Sequence, residues 1–169
     1  MHTIDADFHR FSDIFVPNLF GAIGVYVLWR GRAIARPSYI GEGNILSRLV
    51  KHHQNLSNTF DGFAAALSHP GITSRNAKAD AEIVEGMLLW VSGDTDRAPT
   101  ENKAPGKYVA LDKLFRRHGT VRIKVSGMDP LRPPEERPII RGTKVIILRS
   151  TGIGLPEVEH DWRSRKKRA

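Results

Sequence analysis

An α+β fold is what this chain predicts: a small antiparallel sheet flanked by helices, followed by a basic C-terminal extension containing two further strands. Three observations predict it. The runs Ile23–Arg30 and Pro37–Ile40 are rich in β-branched and aromatic residues and lie one turn apart. Apolar residues at helical spacing follow from Ile45 and again from Asn76. Beyond a proline-rich gap, Thr120–Val125 and Lys144–Leu148 read as two more strands.

Taken in order, residues 1–20 place Phe8, Phe11 and Phe15 at helix-compatible spacing ahead of Pro17, which predicts a short amphipathic helix docked on the core. Gly21 and Gly31 bound the first strand, and Pro37-Ser38-Tyr39-Ile40 forms the return strand. Gly41-Glu42-Gly43 then reads either as a tight turn or as backbone N–H groups for a phosphate, with no Lys-Ser/Thr to make it a Walker loop. Asn44 is placed to cap a helix over Ile45–Asn55 that buries Ile45, Leu46, Leu49 and part of Val50. Phe60, Phe63, Ala64 and Leu67 suggest another short helix over 57–69, broken by Pro70-Gly71. A helix over about Asn76–Val91 carries Ala77, Ala81, Val84 and Leu88 on one face. A polar loop spans 92–105, where Asp94 and Asp96 are solvated turn residues or a stray cation site. A short helix is predicted over Leu111–His118. The loop with Pro130, Pro133, Pro134 and Pro138 should stay extended and exposed.

Composition bounds the function. No cysteine is present, so disulfides and thiolate zinc sites are excluded. The acidic N-terminus with Asp5, Asp7 and Asp13 argues against a leader, and no apolar run approaches membrane-spanning length, so a cytoplasmic protein is expected. The net charge of +8 is unevenly placed: residues 1–106 hold 10 Lys/Arg and 11 Asp/Glu, while 107–169 hold 16 and 7. Such an excess in one segment points to a polyanionic partner, because phosphate contacts release condensed counterions. It is densest in the tail, where Arg163, Arg165, Lys166, Lys167 and Arg168 are candidates for contacts to a nucleic-acid backbone. Trp162 is read as an anchor for that tail, ahead of a role stacking on a base.

One stretch carries a chemistry that packing does not explain. Gly24-Val25-Tyr26 and Tyr39-Ile40-Gly41 put one tyrosine on each strand, and strand alternation can bring both rings to one side of the sheet. On the next helix Arg48 and His52 are four residues apart and share a face, which the adjacent His53 does not. Two phenols, a guanidinium and an imidazole therefore converge.

These residues resemble the GIY-YIG nuclease family. The first triplet has Val25 for the usual Ile, and the second, Tyr39-Ile40-Gly41, matches outright. Downstream, Ala81–Leu89 is similar to the family's metal-binding helix, with Glu85 ahead of the Leu88-Leu89 pair and Glu82 three residues before it. Pro99-Thr100-Glu101-Asn102 looks like the Pro-x-x-Asn that closes the module. The match covers roughly residues 20–105 and divides the chain into an N-terminal segment (1–20), a nuclease core (21–106), a basic extension (107–158) and a basic tail (159–169). The family's third strand has no good counterpart before the metal helix, Ile72–Arg75 being a poor candidate.

The resemblance implies a Mg²⁺-dependent endonuclease, with Mn²⁺ as a substitute, cleaving nucleic acid, foremost double-stranded DNA. It implies Glu85 as the metal ligand and Tyr26, Tyr39, Arg48, His52 and Asn102 as the other site residues, with Arg48 on the charged phosphate oxygens and Tyr26 accepting a proton from water, alone or on behalf of His52. A catalytically silent nucleic-acid-binding module and an RNA-directed nuclease are the competing expectations. The hydrolytic assignment requires the Glu85 carboxylate to lie near the phenol oxygens and not to be turned into the interior.

Overall fold

In the computed structural model, residues 2–14, 19–30, 36–55, 61–67, 74–93, 102, 119–150 and 156–159 are described. The N-terminal segment is not a helix. His2–Arg10 is a strand, β1, followed by a 3-10 turn at Phe11–Asp13. The reason is a period of two that overrides the phenylalanine spacing: Ile4, Ala6 and Phe8 are buried while Thr3, Asp5, Asp7 and His9 face outward.

The motif-bearing hairpin forms as the sequence predicts. β2 (Ile23–Trp29) pairs antiparallel with β3 (Tyr39–Asn44), setting Tyr26 opposite Gly41 and Val25 opposite Glu42. The segment Gly41–Gly43 is not a turn, because it continues β3 to the start of α1 (Ile45–Asn55). Asn44 caps that helix as expected, its Oδ1 accepting from the Ser47 N–H at 3.0 Å. Val50, expected to be partly buried, is exposed.

Residues 61–66 form a strand, not the helix expected over 57–69. This strand, β4 (Asp61–Ala66), pairs antiparallel with β2 across Gly24–Trp29 and supplies the third strand sought further along the chain. Its central residues, Gly62 to Ala65, are buried throughout, and a short apolar run buried on both faces has no periodicity to separate strand from helix. α2 (Ser74–Gly93) follows, starting within the stretch considered for that strand.

The C-terminal part adds three strands, one more than expected: β5 (Val121–Gly127), β6 (Lys144–Ser150) and β7 (Pro156–Glu159). The proline-rich connection is not extended and is exposed only in part, at Arg132, Glu135, Glu136, Arg137 and Ile139. It holds a 3-10 turn at Pro134–Glu136, buries Leu131 and Pro134, and accepts the Trp29 indole N–H on the Pro130 carbonyl at 3.1 Å. The helix predicted over Leu111–His118 lies outside the described residues.

The strands make one mixed seven-stranded sheet in the order β3-β2-β4-β1-β5-β6-β7. Only β1 and β5 run parallel, in register from His2–Val121 to Phe8–Gly127. The sheet separates two apolar layers. On the α2 side Val25, Val27, Ile40, Phe63 and Phe8 pack with Ala81, Val84 and Leu88. On the α1 side Tyr26, Leu28, Ala64 and Ile45 make a smaller cluster, with Tyr39 and Leu49 against it. Among the described residues, no helix is long and apolar enough to cross a membrane.

Candidate functional site

The site begins at the β2–β3 pair. Because Tyr26 stands opposite Gly41, its ring can lie flat across the neighbouring strand only if Gly41 carries no side chain. A Cβ there would come 2.5 Å from the Tyr26 hydroxyl and 2.6 Å from the Tyr39 ring. The two tyrosine rings stack with centroids 6.0 Å apart and planes 28° from parallel. The second glycine of the motif region serves α1. Gly43 has φ +122°, and a Cβ on it would come 3.4 Å from Arg48 Nε.

α1 brings in the imidazole. His52 Nε2 lies 3.1 Å from the Tyr26 hydroxyl, and the His52 ring sits 4.9 Å from the Tyr39 ring and 5.6 Å from that of Tyr26. Arg48, one turn earlier, is exposed beside Gly43. The convergence expected of Tyr26, Tyr39, Arg48 and His52 is thus present on the α1 side of the sheet. His53 instead faces outward, beside an apolar groove lined with Leu49, Val50 and Gln54.

The electrostatics of this cluster centre on Tyr26. Removal of its hydroxyl from water pushes the phenol's pKa well above its ordinary value near 10. The neighbouring Tyr39 adds to the rise, the Arg48 guanidinium opposes it, and the carboxyl groups of Glu85 and Glu42 raise it further. Tyr26 is therefore a neutral phenol at physiological pH, and both acids lie within Coulombic range of it.

The charge of Glu85 reaches the Tyr26 phenol, adding to the rise set mainly by burial. Glu85 is only 2% exposed, so the requirement that it not be turned into the interior is not met. The cause is α2 itself, which is buried almost all round between Ala81 and Ser92. Glu82, by contrast, is only half-buried. An ionised carboxylate at Glu85's depth needs compensating donors or a cation.

Asn102 belongs to the same constellation, though its amide is engaged with backbone. Its Oδ1 accepts from the Ile40 N–H at 2.9 Å and its Nδ2 donates to the Ile40 carbonyl at 2.8 Å. The side chain thereby acts as a one-residue strand partner for β3, the outermost strand of the sheet. It fixes the backbone between Tyr39 and Gly41. Arg163, Arg165, Lys166, Lys167 and Arg168 lie outside the described residues.

No family model, curated protein or solved structure matches this chain.

Carboxylate oxygens of the kind found here suit a hard divalent ion, the cofactor that the resemblance implies. Among the described residues no three His, Cys, Asp or Glu side chains gather into a cage. Magnesium does not need one, since it keeps several waters and takes one or two carboxylates plus substrate oxygens. Glu85 is one such oxygen donor. A second was missed from sequence. Glu42 lies one residue past the Tyr39-Ile40-Gly41 triplet, and its Oε2 is buried with no hydrogen-bond partner. Its position on a strand, where alternate residues face alternate sides, was the signal available, hidden by reading Gly41–Gly43 as a turn.

Proposed function

We propose that this chain is a divalent-metal-dependent endonuclease of the GIY-YIG kind that hydrolyses phosphodiester bonds in DNA. The observation that carries this reading is the Tyr26–His52 hydrogen bond, packed against Tyr39 and flanked by Arg48 on the same helix. A phenol bonded to an imidazole beside an exposed guanidinium has no packing rationale, and it suits attack of water on a phosphate.

Hydrolysis needs a deprotonated water, neutralised charge on the phosphoryl oxygens and an assisted leaving oxygen. A neutral Tyr26 cannot take up a proton and hold it, but it can relay one. With His52 Nε2 as acceptor, the phenol hydrogen moves to the imidazole while the phenol oxygen receives a proton from the attacking water. Tyr26 ends neutral, His52 ends as imidazolium, and hydroxide is delivered to phosphorus. Tyr39, against both rings, orients the water. Arg48, whose guanidinium fork fits phosphate oxygens, stabilises the charge that accumulates on them. Asn102 keeps Tyr39 and Gly41 in register by holding Ile40. This reading assigns the cation to Glu85, whose interior position has to open to it; when bound, the ion would supply Lewis acidity at the phosphate and stabilise the departing oxygen.

Cleavage of supercoiled plasmid and of labelled oligonucleotides in Mg²⁺, Mn²⁺ or EDTA tests the reading. Nicked or linear product is expected with either metal and none with EDTA. Glu85→Gln is expected to abolish cleavage while DNA binding persists. Metal-independent product, or full activity of Glu85→Gln, rejects it.

A further inference from the structure

Glu42 occupies an unusual position for an acidic residue. It sits in the middle of β3 between two glycines, opposite Val25, so its side chain leaves the sheet on the α2 side, where its strand neighbours Val25 and Ile40 are apolar. That is the side on which α2 carries Glu85. One carboxylate oxygen, Oε2, is buried and accepts no hydrogen bond. Val25 has no side-chain donor to offer it. Arg48 lies nearby, against Gly43, but forms no ion pair with Glu42.

A buried carboxylate oxygen without a donor is costly, and native folds retain one where a ligand completes it. The missing partner is best met by a cation, because the orphaned oxygen belongs to an acid and Val25 opposite offers it no donor. It must also favour oxygen, since no cysteine exists in the chain. A hard divalent ion satisfies both conditions.

We infer that Glu42 is a second carboxylate ligand of the divalent cation, sharing it with Glu85. This rests on the hydrolytic reading above and goes beyond the single metal glutamate expected from the sequence. Oε2 of Glu42 takes one coordination position, Glu85 another, and water and phosphate oxygens fill the rest. Arg48 is then left free of acidic partners and available to the phosphate.

The test is Mn²⁺ binding to the full-length protein without DNA, read by the electron paramagnetic resonance of free Mn²⁺ and by the metal-induced rise in Tm. Glu42→Gln is expected to weaken Mn²⁺ binding about 10- to 100-fold and to remove most of the metal-induced rise. Its metal-free Tm should be no lower than that of the wild type, since the change removes an uncompensated buried charge. Glu42→Asp keeps the charge but withdraws the oxygen, and is also expected to bind Mn²⁺ more weakly. It serves as the readout if Glu42→Gln fails to fold. Unchanged Mn²⁺ affinity in both Glu42 variants, with weakened affinity in Glu85→Gln, overturns the role of Glu42 and leaves the hydrolytic reading standing. Unchanged affinity in all three, or no binding by the wild type, overturns both.

Discussion

The Tyr26 hydroxyl is held 3.1 Å from His52 Nε2 in surroundings that oppose its ionisation, and two measurable consequences follow. The first is kinetic. If the phenol relays a proton, Tyr26→Phe breaks the chain and His52→Ala removes its end, so each is expected to slow single-turnover cleavage about 10²–10⁴-fold with little change in DNA affinity. A pH–rate profile in which both variants cleave at the wild-type rate excludes the relay. The second is thermodynamic. The folded-state pKa of Tyr26 lies above its unfolded value near 10, so the folded protein holds this proton more tightly than the unfolded chain. Stability is therefore fully present below pH 10 and is lost as pH rises further. Denaturant titrations between pH 8 and 11 should show this decline, and Tyr26→Phe should flatten it.

At the scale of elements, β3 is where site geometry and fold stability are the same problem. It is an outermost strand, it contains two glycines, and such strands slip easily unless something fixes their register. Asn102 does so through two hydrogen bonds to one residue, Ile40. Asn102→Ala leaves both backbone groups to find other partners and is expected to cost about 1–3 kcal/mol in denaturant unfolding. It should also slow cleavage more than it weakens DNA binding, because Tyr39 and Gly41 flank Ile40. Asn102→Asp keeps the acceptor but not the donor, so an intermediate effect on stability is expected. Loss of activity at unchanged stability would instead make Asn102 a group acting directly on substrate. The same strand shows what was legible beforehand. Tyr26, Tyr39, Arg48 and His52 could be placed together because strand and helix periodicities are short-range rules. The Asn44 cap followed from the same local chemistry. β1 and β4 could not be read in that way. In β1 a phenylalanine spacing competed with a true period of two, and in β4 small residues buried on both faces carried no period at all. Glu42 was missed because two flanking glycines suggest a turn, whereas here they admit a tyrosine ring on one side and an arginine on the other.

For the molecule as a whole, β1 is the link. It lies between β4, in the half that carries the candidate site, and β5, in the basic half, so that a sheet of seven strands joins parts that the charge distribution separates. The Trp29 indole reinforces the join by donating to Pro130 across the same boundary. The candidate site then lies in the near-neutral part of the sequence and most of the positive charge in the other. If the charge serves attraction and the site serves chemistry, the two should separate by mutation. The tail offers the cleanest cut, since five of its residues, Arg163, Arg165, Lys166, Lys167 and Arg168, are basic. Each phosphate contact contributes about 0.9 to the slope of log affinity against log salt, so five contacts contribute about 4.5. Truncation after residue 159 is expected to weaken DNA binding most at low salt and to make that slope shallower by up to this amount. The single-turnover rate at saturating DNA should stay close to that of the full chain, since Tyr26, His52, Arg48 and Glu85 are untouched. An unchanged slope would mean that the tail makes no phosphate contacts. The attraction would then have to come from cations on the scaffold, Lys124, Lys144 and the exposed face of α1 being the first to replace.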